Sequence, residues 1–133
     1  MTDTPEVPEA THSFWQKHKT KFLWVLLIGF YLFYNLLPEV LFVNGSGLQV
    51  DRVHIVMPRD DKSWYEVKHG ASKSFRYLPE QSSGWYELEL TLSDGTIVKG
   101  RFEGIEPWDL GHKAIFELLP DLSIRADFDY SLF

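Results

Sequence analysis

The feature that most constrains this chain is an uncharged apolar run near its N-terminus. From Phe22 to Leu37 there is no charged residue, and Asn35 is the only strongly polar one. These 16 residues would span about 24 Å as an α-helix, slightly less than the hydrocarbon core of a bilayer, which is about 30 Å thick. Extension to Val43 gives about 33 Å. The run therefore predicts a transmembrane helix over 22–43.

Polar residues interrupt the outer end of this predicted span. Pro38 would distort the helix, which a membrane helix tolerates, and Glu39 would reach the headgroup region. Tyr31, Asn35 and Glu39 are spaced i, i+4, i+8 and would share one helix face. One interpretation of this stripe is contact with another membrane helix. The favoured interpretation is that Tyr31 and Tyr34 face the outer interfacial belt while Glu39 reaches the headgroups.

Two other interpretations of the apolar run are less favoured. A cleaved signal peptide would need small residues in an A-x-A pattern after the run, whereas Leu41 and Phe42 are bulky. A buried helix of a globular core would show a polar face, and this run has almost none. We therefore expect an anchor that is retained.

The residues before the run predict its orientation. Residues 1–13 are acidic, contain two prolines and predict a disordered cytoplasmic tail. Residues 14–21 form a basic juxtamembrane segment with Lys17, Lys19 and Lys21. Because basic residues flanking a span stay in the cytoplasm, the pattern predicts a single-pass protein of the inner membrane. Its N-terminus would be cytoplasmic and its C-terminal domain periplasmic.

The rest of the chain predicts a mainly β fold. After a predicted flexible linker over 44–47, residues 48–133 contain about six alternating segments separated by turn signals. In the clearest segment, 84–92, every second residue is apolar, and Asp94-Gly95 follows as a hairpin turn. We expect a small antiparallel β-sandwich or barrel-like domain. The residues predicted to face its core are Val53, Ile55, Met57, Phe75, Tyr77, Tyr86, Leu88, Leu90, Leu92, Ile124, Ala126, Phe128 and Tyr130.

The composition argues against several kinds of chemistry. There is no cysteine, which excludes disulfides, thiolate metal sites and a cysteine nucleophile. The five histidines never fall at metal-ligand spacing, and there is no glycine-rich phosphate loop. The net charge of −6 is unlike that of a nucleic-acid-binding surface. We predict no catalytic residue, no metal, no small-molecule cofactor and no nucleic acid partner, so the chain is not expected to be an enzyme.

Aromatic residues are the strongest indication of function. A domain of this size cannot bury all of them, and exposed aromatic side chains are typical binding anchors. Trp64-Tyr65 and Trp85-Tyr86 lie on extended segments, so one member of each pair must point outward. The equally weighted alternative is that these aromatic side chains cover the ends of the sandwich or pack toward the membrane surface. Acidic residues beside them are favoured as solubility charge, and the alternative is that they attract a basic partner. The predicted partner-binding residues are Trp64, Trp85, Trp108, Glu87 and Glu89.

Together these features predict a membrane-anchored domain that binds another protein, with the lipid bilayer as its second partner. One version is an immunity protein that neutralises an antibacterial toxin in the periplasm. A second is an accessory subunit of an envelope or secretion complex, which would use the Tyr31, Asn35 and Glu39 stripe. An envelope hydrolase with a scattered active site is the least favoured alternative.

Overall fold

The computed structural model describes the backbone of residues 9–130 and the side chains of residues 18–130. The chain forms two compact units, which meet in sequence between Tyr34 and Asn35. The first contains most of a helix and the second contains all of the described strands. The first eight residues of the predicted tail lie outside the described part.

The helix, α1 (Glu9–Leu36), begins earlier and ends earlier than the sequence predicts. It starts inside the predicted disordered tail and continues through the basic segment 14–21. It ends before Pro38, because proline lacks an amide donor and disfavours helical geometry in the preceding residue. The predicted helix over 22–43 is therefore wrong beyond Leu36. In residues 9–130, α1 does not combine the length and the apolar character that crossing a bilayer requires.

Eight strands follow in the described part of the chain. They are β1 (Glu39–Asn44), β2 (Val50–Val56), β3 (Asp61–Val67), β4 (Ser72–Arg76), β5 (Gly84–Leu92), β6 (Ile97–Ile105), β7 (His112–Leu118) and β8 (Ile124–Tyr130). The first sheet has the order β4-β1-β7-β8, and the second has the order β3-β2-β5-β6. All neighbours are antiparallel except β1 and β7, which are parallel. The predicted mainly β, sandwich-like fold is confirmed, but the expectation of purely antiparallel strands is wrong for this pair.

The two sheets pack face to face through alternate side chains. Across the middle, the rings of Tyr86 on β5 and Phe116 on β7 lie 5.2 Å apart. At one edge, Trp64 on β3 lies edge-on to Phe75 on β4, with ring centroids 5.6 Å apart. The buried apolar core consists of Val40, Phe42, Val50, Val53, Ile55, Met57, Val67, Tyr77, Tyr86, Leu88, Leu90, Leu92, Ile105, Ala114, Phe116 and Leu118.

Most predicted core positions are buried, but the edge strand β8 is more open. Ile124 and Ala126 pack partly buried against the core, whereas Phe128 and Tyr130 stay exposed.

Close approach of β8 to β6 depends on Gly100 and Gly104. A Cβ atom on Gly100 would lie 3.0 Å from Ile124 Cδ1, and one on Gly104 would lie 3.2 Å from Phe128 Cε1.

Strand β1 occupies the place where the outer end of the membrane helix was expected. It lies between β4 and β7 in the first sheet. Val40 and Phe42 are fully buried in the core. These side chains therefore stabilise the sandwich, which begins well before residue 48.

The predicted linker over 44–47 is instead a hydrogen-bonded turn around buried Asn44. Its Nδ2 donates to the carbonyl oxygens of Leu48 and Val67, each at 2.8 Å. Its Oδ1 accepts from the amide of Ser46 at 3.1 Å and from the Ser46 hydroxyl at 2.7 Å. Because a buried amide that satisfies all these groups fixes the backbone, this segment is not a flexible hinge.

A second polar contact lies inside the core. The hydroxyls of Tyr77 and Tyr86 are 2.9 Å apart and both side chains are buried. Burial raises the pKa of Tyr77 to about 12, although the hydrogen bond from Tyr86 opposes the rise. Burial also raises the pKa of Tyr86, and the neighbouring Tyr77 adds to the effect. Both hydroxyls therefore stay neutral at physiological pH and share one hydrogen bond.

Candidate functional site

The outer face of the second sheet carries a groove lined by charged side chains, which we call the charged groove. It encloses about 410 Å³ and is lined by His54, Val56, Glu87, Leu88, Glu89, Lys99, Gly100 and Arg101. The strand register explains its composition. His54, Glu89 and Lys99 lie opposite one another in one row across β2, β5 and β6. Val56, Glu87 and Arg101 form the next row.

Trp85 lies at the end of the charged groove, where a second depression begins. This depression encloses about 270 Å³ and shares Val56 and Glu87 with the groove. The Trp85 side chain is held from two sides. Its Nε1 donates to Glu87 Oε1 at 3.1 Å, and the Arg101 guanidinium carbon lies 3.3 Å from its ring centroid. The residue nevertheless keeps 40% of its surface exposed.

A β-bulge beside Trp85 sets the direction of this side chain. Gly84 pairs with Ile105 but Trp85 pairs with Glu103, so Gly104 is an extra residue on β6. Gly104 has φ of 144°, a conformation that is essentially restricted to glycine. Because a bulge locally bends the strand and increases its twist, this irregularity helps aim Trp85 toward the groove.

The opposite wall of the charged groove contains a histidine–aspartate pair. His54 Nε2 lies 3.0 Å from Asp61 Oδ2 on the neighbouring strand β3. The groove thus presents carboxylates, cationic groups and an imidazole within three adjacent strands. This arrangement suits hydrogen bonding and ion pairing with a polar partner surface.

Three of the five predicted partner-binding residues come together at this place. Trp85, Glu87 and Glu89 all lie on the outer face of β5. Trp64 does not join them, because its ring packs against the core beside Phe75. The exposed member of that pair is Tyr65, so the prediction of Trp64 as a surface anchor is corrected.

Trp108 is exposed but belongs to a different region of the sandwich. It lies in the loop between β6 and β7, and its amide donates to the carbonyl oxygen of Pro79 at 2.8 Å. Its φ of 56° places it in the left-handed region, which bulky residues rarely occupy. Trp108 is therefore held away from the core without being part of the charged groove.

The predicted helical stripe of Tyr31, Asn35 and Glu39 does not exist as one face. Tyr31 and Asn35 lie on α1, whereas Glu39 begins β1. Glu39 Oε2 instead lies 3.4 Å from Nη2 of Arg76. Nη1 of Arg76 also donates to the carbonyl oxygens of Asn35 and Leu37, at 3.3 and 3.1 Å. Arg76 thus satisfies carbonyl groups at the helix C-terminus, which otherwise lack partners.

His112 is a buried polar residue for which no role was predicted from the sequence. Its ring stacks on Phe128, with centroids 5.7 Å apart, and lies 5.0 Å from the Tyr130 ring. Within the described residues, neither ring nitrogen has a hydrogen-bond partner, although Nδ1 lies 3.5 Å from Asp109 Oδ2. Burial lowers the pKa of His112, and Asp109 opposes this effect.

No cluster of three or more potential metal ligands occurs among residues whose side chains are described.

Comparison with known proteins indicates the fold only. No family model matches the chain, and no curated protein is significantly similar in sequence. The fold is similar to an NMR structure of a protein from Eubacterium rectale, with a TM-score of 0.51 and 13% sequence identity. The similar region covers 72% of this chain and 91% of that one.

Proposed function

We propose that this chain is a binding protein whose β-sandwich recognises another protein through the charged groove and Trp85. We further propose that the apolar part of α1 holds the sandwich at a membrane. The observation that carries the first proposal is the position of Trp85, exposed at the junction of two adjoining depressions and fixed by Glu87 and Arg101.

The fixed position of Trp85 favours binding for an energetic reason. Tryptophan and arginine are the residue types most enriched among those that dominate the energy of protein interfaces. A side chain that is already ordered loses less conformational freedom on binding than a mobile one. Trp85 is ordered by one hydrogen bond and one cation–π contact, so its apolar surface is available to a partner at low entropic cost.

The charged rows beside Trp85 favour a partner of mixed polarity. Glu87 lies opposite Arg101, and Glu89 lies opposite Lys99. Such alternation gives specificity, because a partner with like charges in register is repelled. It does not favour a uniformly basic partner, which was one interpretation of the acidic residues alone.

The side chains of α1 support the membrane part of the proposal. A helix that is apolar all round is normally buried in lipid or in protein. In this structure the large apolar side chains of Phe22–Tyr34 are exposed, and Lys19 and Lys21 precede them. Removing so much apolar surface from water is strongly favourable. This proposal concerns insertion into lipid and not passage across it.

The toxin-neutralising role and the accessory-subunit role remain two proposals within this class. The two roles differ in whether α1 itself must contact the partner. If the groove alone binds a toxin, replacing residues 22–34 by an unrelated apolar anchor leaves partner binding unchanged. If the chain is a subunit of a membrane complex that contacts α1, the same replacement abolishes complex formation.

The test of partner binding is affinity capture from native membranes with the full chain, followed by mass spectrometry. We expect Trp85→Ala to lose a specific partner. A matched control is Ile97→Ala, because Ile97 is also an exposed apolar residue of the second sheet but does not line the groove. Loss of the same partner by both variants, or by neither, would argue against recognition through Trp85.

A further inference from the structure

One end of the sandwich is where the chain arrives from α1, and we call it the helix-proximal end. The amide of Gly111 donates to the carbonyl oxygen of Leu36 at 2.6 Å, and the amide of Tyr77 donates to that of Pro38 at 3.1 Å. Because Tyr34 is joined covalently to Asn35, the apolar segment of α1 must end here. The loops after β4 and after β6 lie at this same end.

This end exposes a set of large apolar side chains, which we call the apolar rim. Trp108 and Tyr130 are 60% and 63% exposed, and Leu78 is 65% exposed. Leu110 is 37% exposed. At the opposite end, the described loops and strand termini expose two large apolar residues, Leu48 and Ile97, the second at the start of β6. Apolar residues in the loops are therefore concentrated where the chain leaves α1.

The backbone holds two parts of the apolar rim together. The Trp108 amide bonds to Pro79, next to Leu78, and the carbonyl oxygen of Trp108 accepts from the amide of Leu110 at 2.9 Å. The left-handed φ of Trp108 is unfavourable for a bulky side chain. A bulky ring kept exposed in a strained conformation indicates a surface that makes a contact.

We propose that the apolar rim inserts into the headgroup region of the lipid bilayer that takes up the apolar segment of α1. This inference rests on the membrane part of the proposed function. Tryptophan and tyrosine prefer the membrane–water interface, because each has an apolar body and a polar tip. The chain connection favours lipid as the occupant, since the rim lies at the end of the sandwich where Gly111 bonds to Leu36, two residues after the apolar segment.

The charges at this end favour a neutral lipid surface, because the acidic residues of its loops and strand ends, Glu39, Glu80, Glu106, Asp109 and Asp129, outnumber the cations Arg76 and Lys113. Glu106 and Asp109 lie in the same loop as Trp108, and the Tyr130 hydroxyl donates to Asp109 Oδ2 at 3.2 Å. These carboxylates would be repelled by an anionic surface. The occupant is therefore a zwitterionic interface such as phosphatidylcholine or phosphatidylethanolamine.

Site-directed spin labelling tests this proposal directly, because the chain has no cysteine of its own. The full chain is reconstituted with phosphatidylcholine vesicles and labelled at one introduced cysteine at a time. Leu78→Cys and Leu110→Cys report on the rim, Phe30→Cys reports on α1, and Asp94→Cys and Leu48→Cys report on the opposite end. The measurement is the accessibility of each label to oxygen, which dissolves in lipid, relative to a water-soluble nickel complex.

We expect the oxygen-to-nickel ratio to be several-fold higher at the rim positions than at Asp94 and Leu48. Replacing Trp108 by serine should lower the ratio at Leu78, whereas Ile97→Ser should leave it unchanged. A lipid-exposed label at Phe30 with water-exposed labels at the rim would overturn the rim proposal and leave the anchor proposal standing.

Other outcomes also decide the question. If the labels at Phe30 and at the rim are all exposed to water, both the anchor and the rim proposals fail. If the rim labels are shielded from oxygen and from nickel alike, a protein surface covers them and the lipid proposal is wrong.

Discussion

The guanidinium carbon of Arg101 lies 3.3 Å from the centroid of the Trp85 ring. The two residues belong to neighbouring strands, and Glu87 links them, since it pairs with Arg101 across the strands and accepts the hydrogen bond from Trp85. Arg101 covers one face of the Trp85 ring, and Glu87 holds its indole nitrogen. The exposed part of the ring therefore has a fixed orientation. We regard this trio as the centre of the proposed binding site.

Replacing Arg101 by methionine should free the Trp85 ring while keeping most of the side-chain volume. We expect the free energy of unfolding to fall by only about 0.5–1 kcal/mol, the usual strength of an exposed cation–π contact. Partner affinity should fall more, because the ring loses its fixed position. Chemical denaturation and binding measurements on the full chain check the two effects. Lys99→Met is the control, and an equal loss of affinity in both variants would contradict a special role for Arg101.

The Tyr77–Tyr86 hydrogen bond should behave as one unit. Changing either tyrosine to phenylalanine leaves the other buried hydroxyl unpaired, which costs about 1–3 kcal/mol. Removing both hydroxyls should cost less than the sum of the single changes. A double-mutant cycle by denaturant unfolding measures this difference, for which interacting pairs give about 0.5–3 kcal/mol. Strict additivity would mean that the hydrogen bond contributes nothing to stability.

Asn44→Asp should destabilise the sandwich strongly. The carbonyl oxygens of Leu48 and Val67 would lose their donor, and a buried carboxylate would face them. We expect the free energy of unfolding at pH 7 to fall by at least about 3 kcal/mol. Ser93→Asp adds the same charge at an exposed site of the same end and should change stability little. If the two variants were equally stable, Asn44 would not have the structural role assigned to it.

Folding stability should decrease as the pH is lowered below about 6.5, the unperturbed histidine pKa. The pKa of His112 is lowered by burial, so the unfolded chain takes up a proton in this window before the folded chain does. Stability is therefore lost as pH falls toward the folded-state pKa and is regained as pH rises. Asp109 and the Tyr130 ring face this imidazole.

Two variants check whether His112 causes this pH dependence. His112→Phe should flatten the pH dependence of unfolding between about pH 7 and pH 5. Ser93→Gln, at an exposed position without a titrating side chain, should leave it unchanged. An unaltered pH profile in the His112 variant would assign the effect to other groups.

The sequence allowed strand β5 to be predicted more accurately than strand β1. Strict alternation along β5, ended by the Asp94-Gly95 turn, has a period that only a half-buried strand shows. Strand β1 gave no such signal. Its residues Leu41 and Val43 on the outer face are apolar as well, so the strand looked like a continuation of the preceding apolar run. A short apolar run cannot be assigned to helix or strand from periodicity alone.

The candidate site was also predicted only in part, for a related reason. Which member of a Trp-Tyr pair faces outward depends on strand register, and a shift of one residue reverses the faces. The outward direction of Trp85 follows from the alternation of β5, which extends to it. Strand β3 has weak alternation, so nothing in the sequence distinguished Trp64 from Tyr65. The cationic residues Lys99 and Arg101 were missed because their place opposite Glu87 and Glu89 follows from pairing between strands.

The most direct test of the proposed binding site is the dissociation constant of the captured partner for the full chain and for Trp85→Ala. If Trp85 is a dominant contact, its loss should cost at least about 2 kcal/mol, which corresponds to about 30-fold weaker binding. Ile97→Ala should bind as the unmodified chain does. Unchanged affinity in Trp85→Ala, with the fold intact, would show that the partner binds elsewhere and would contradict the proposal.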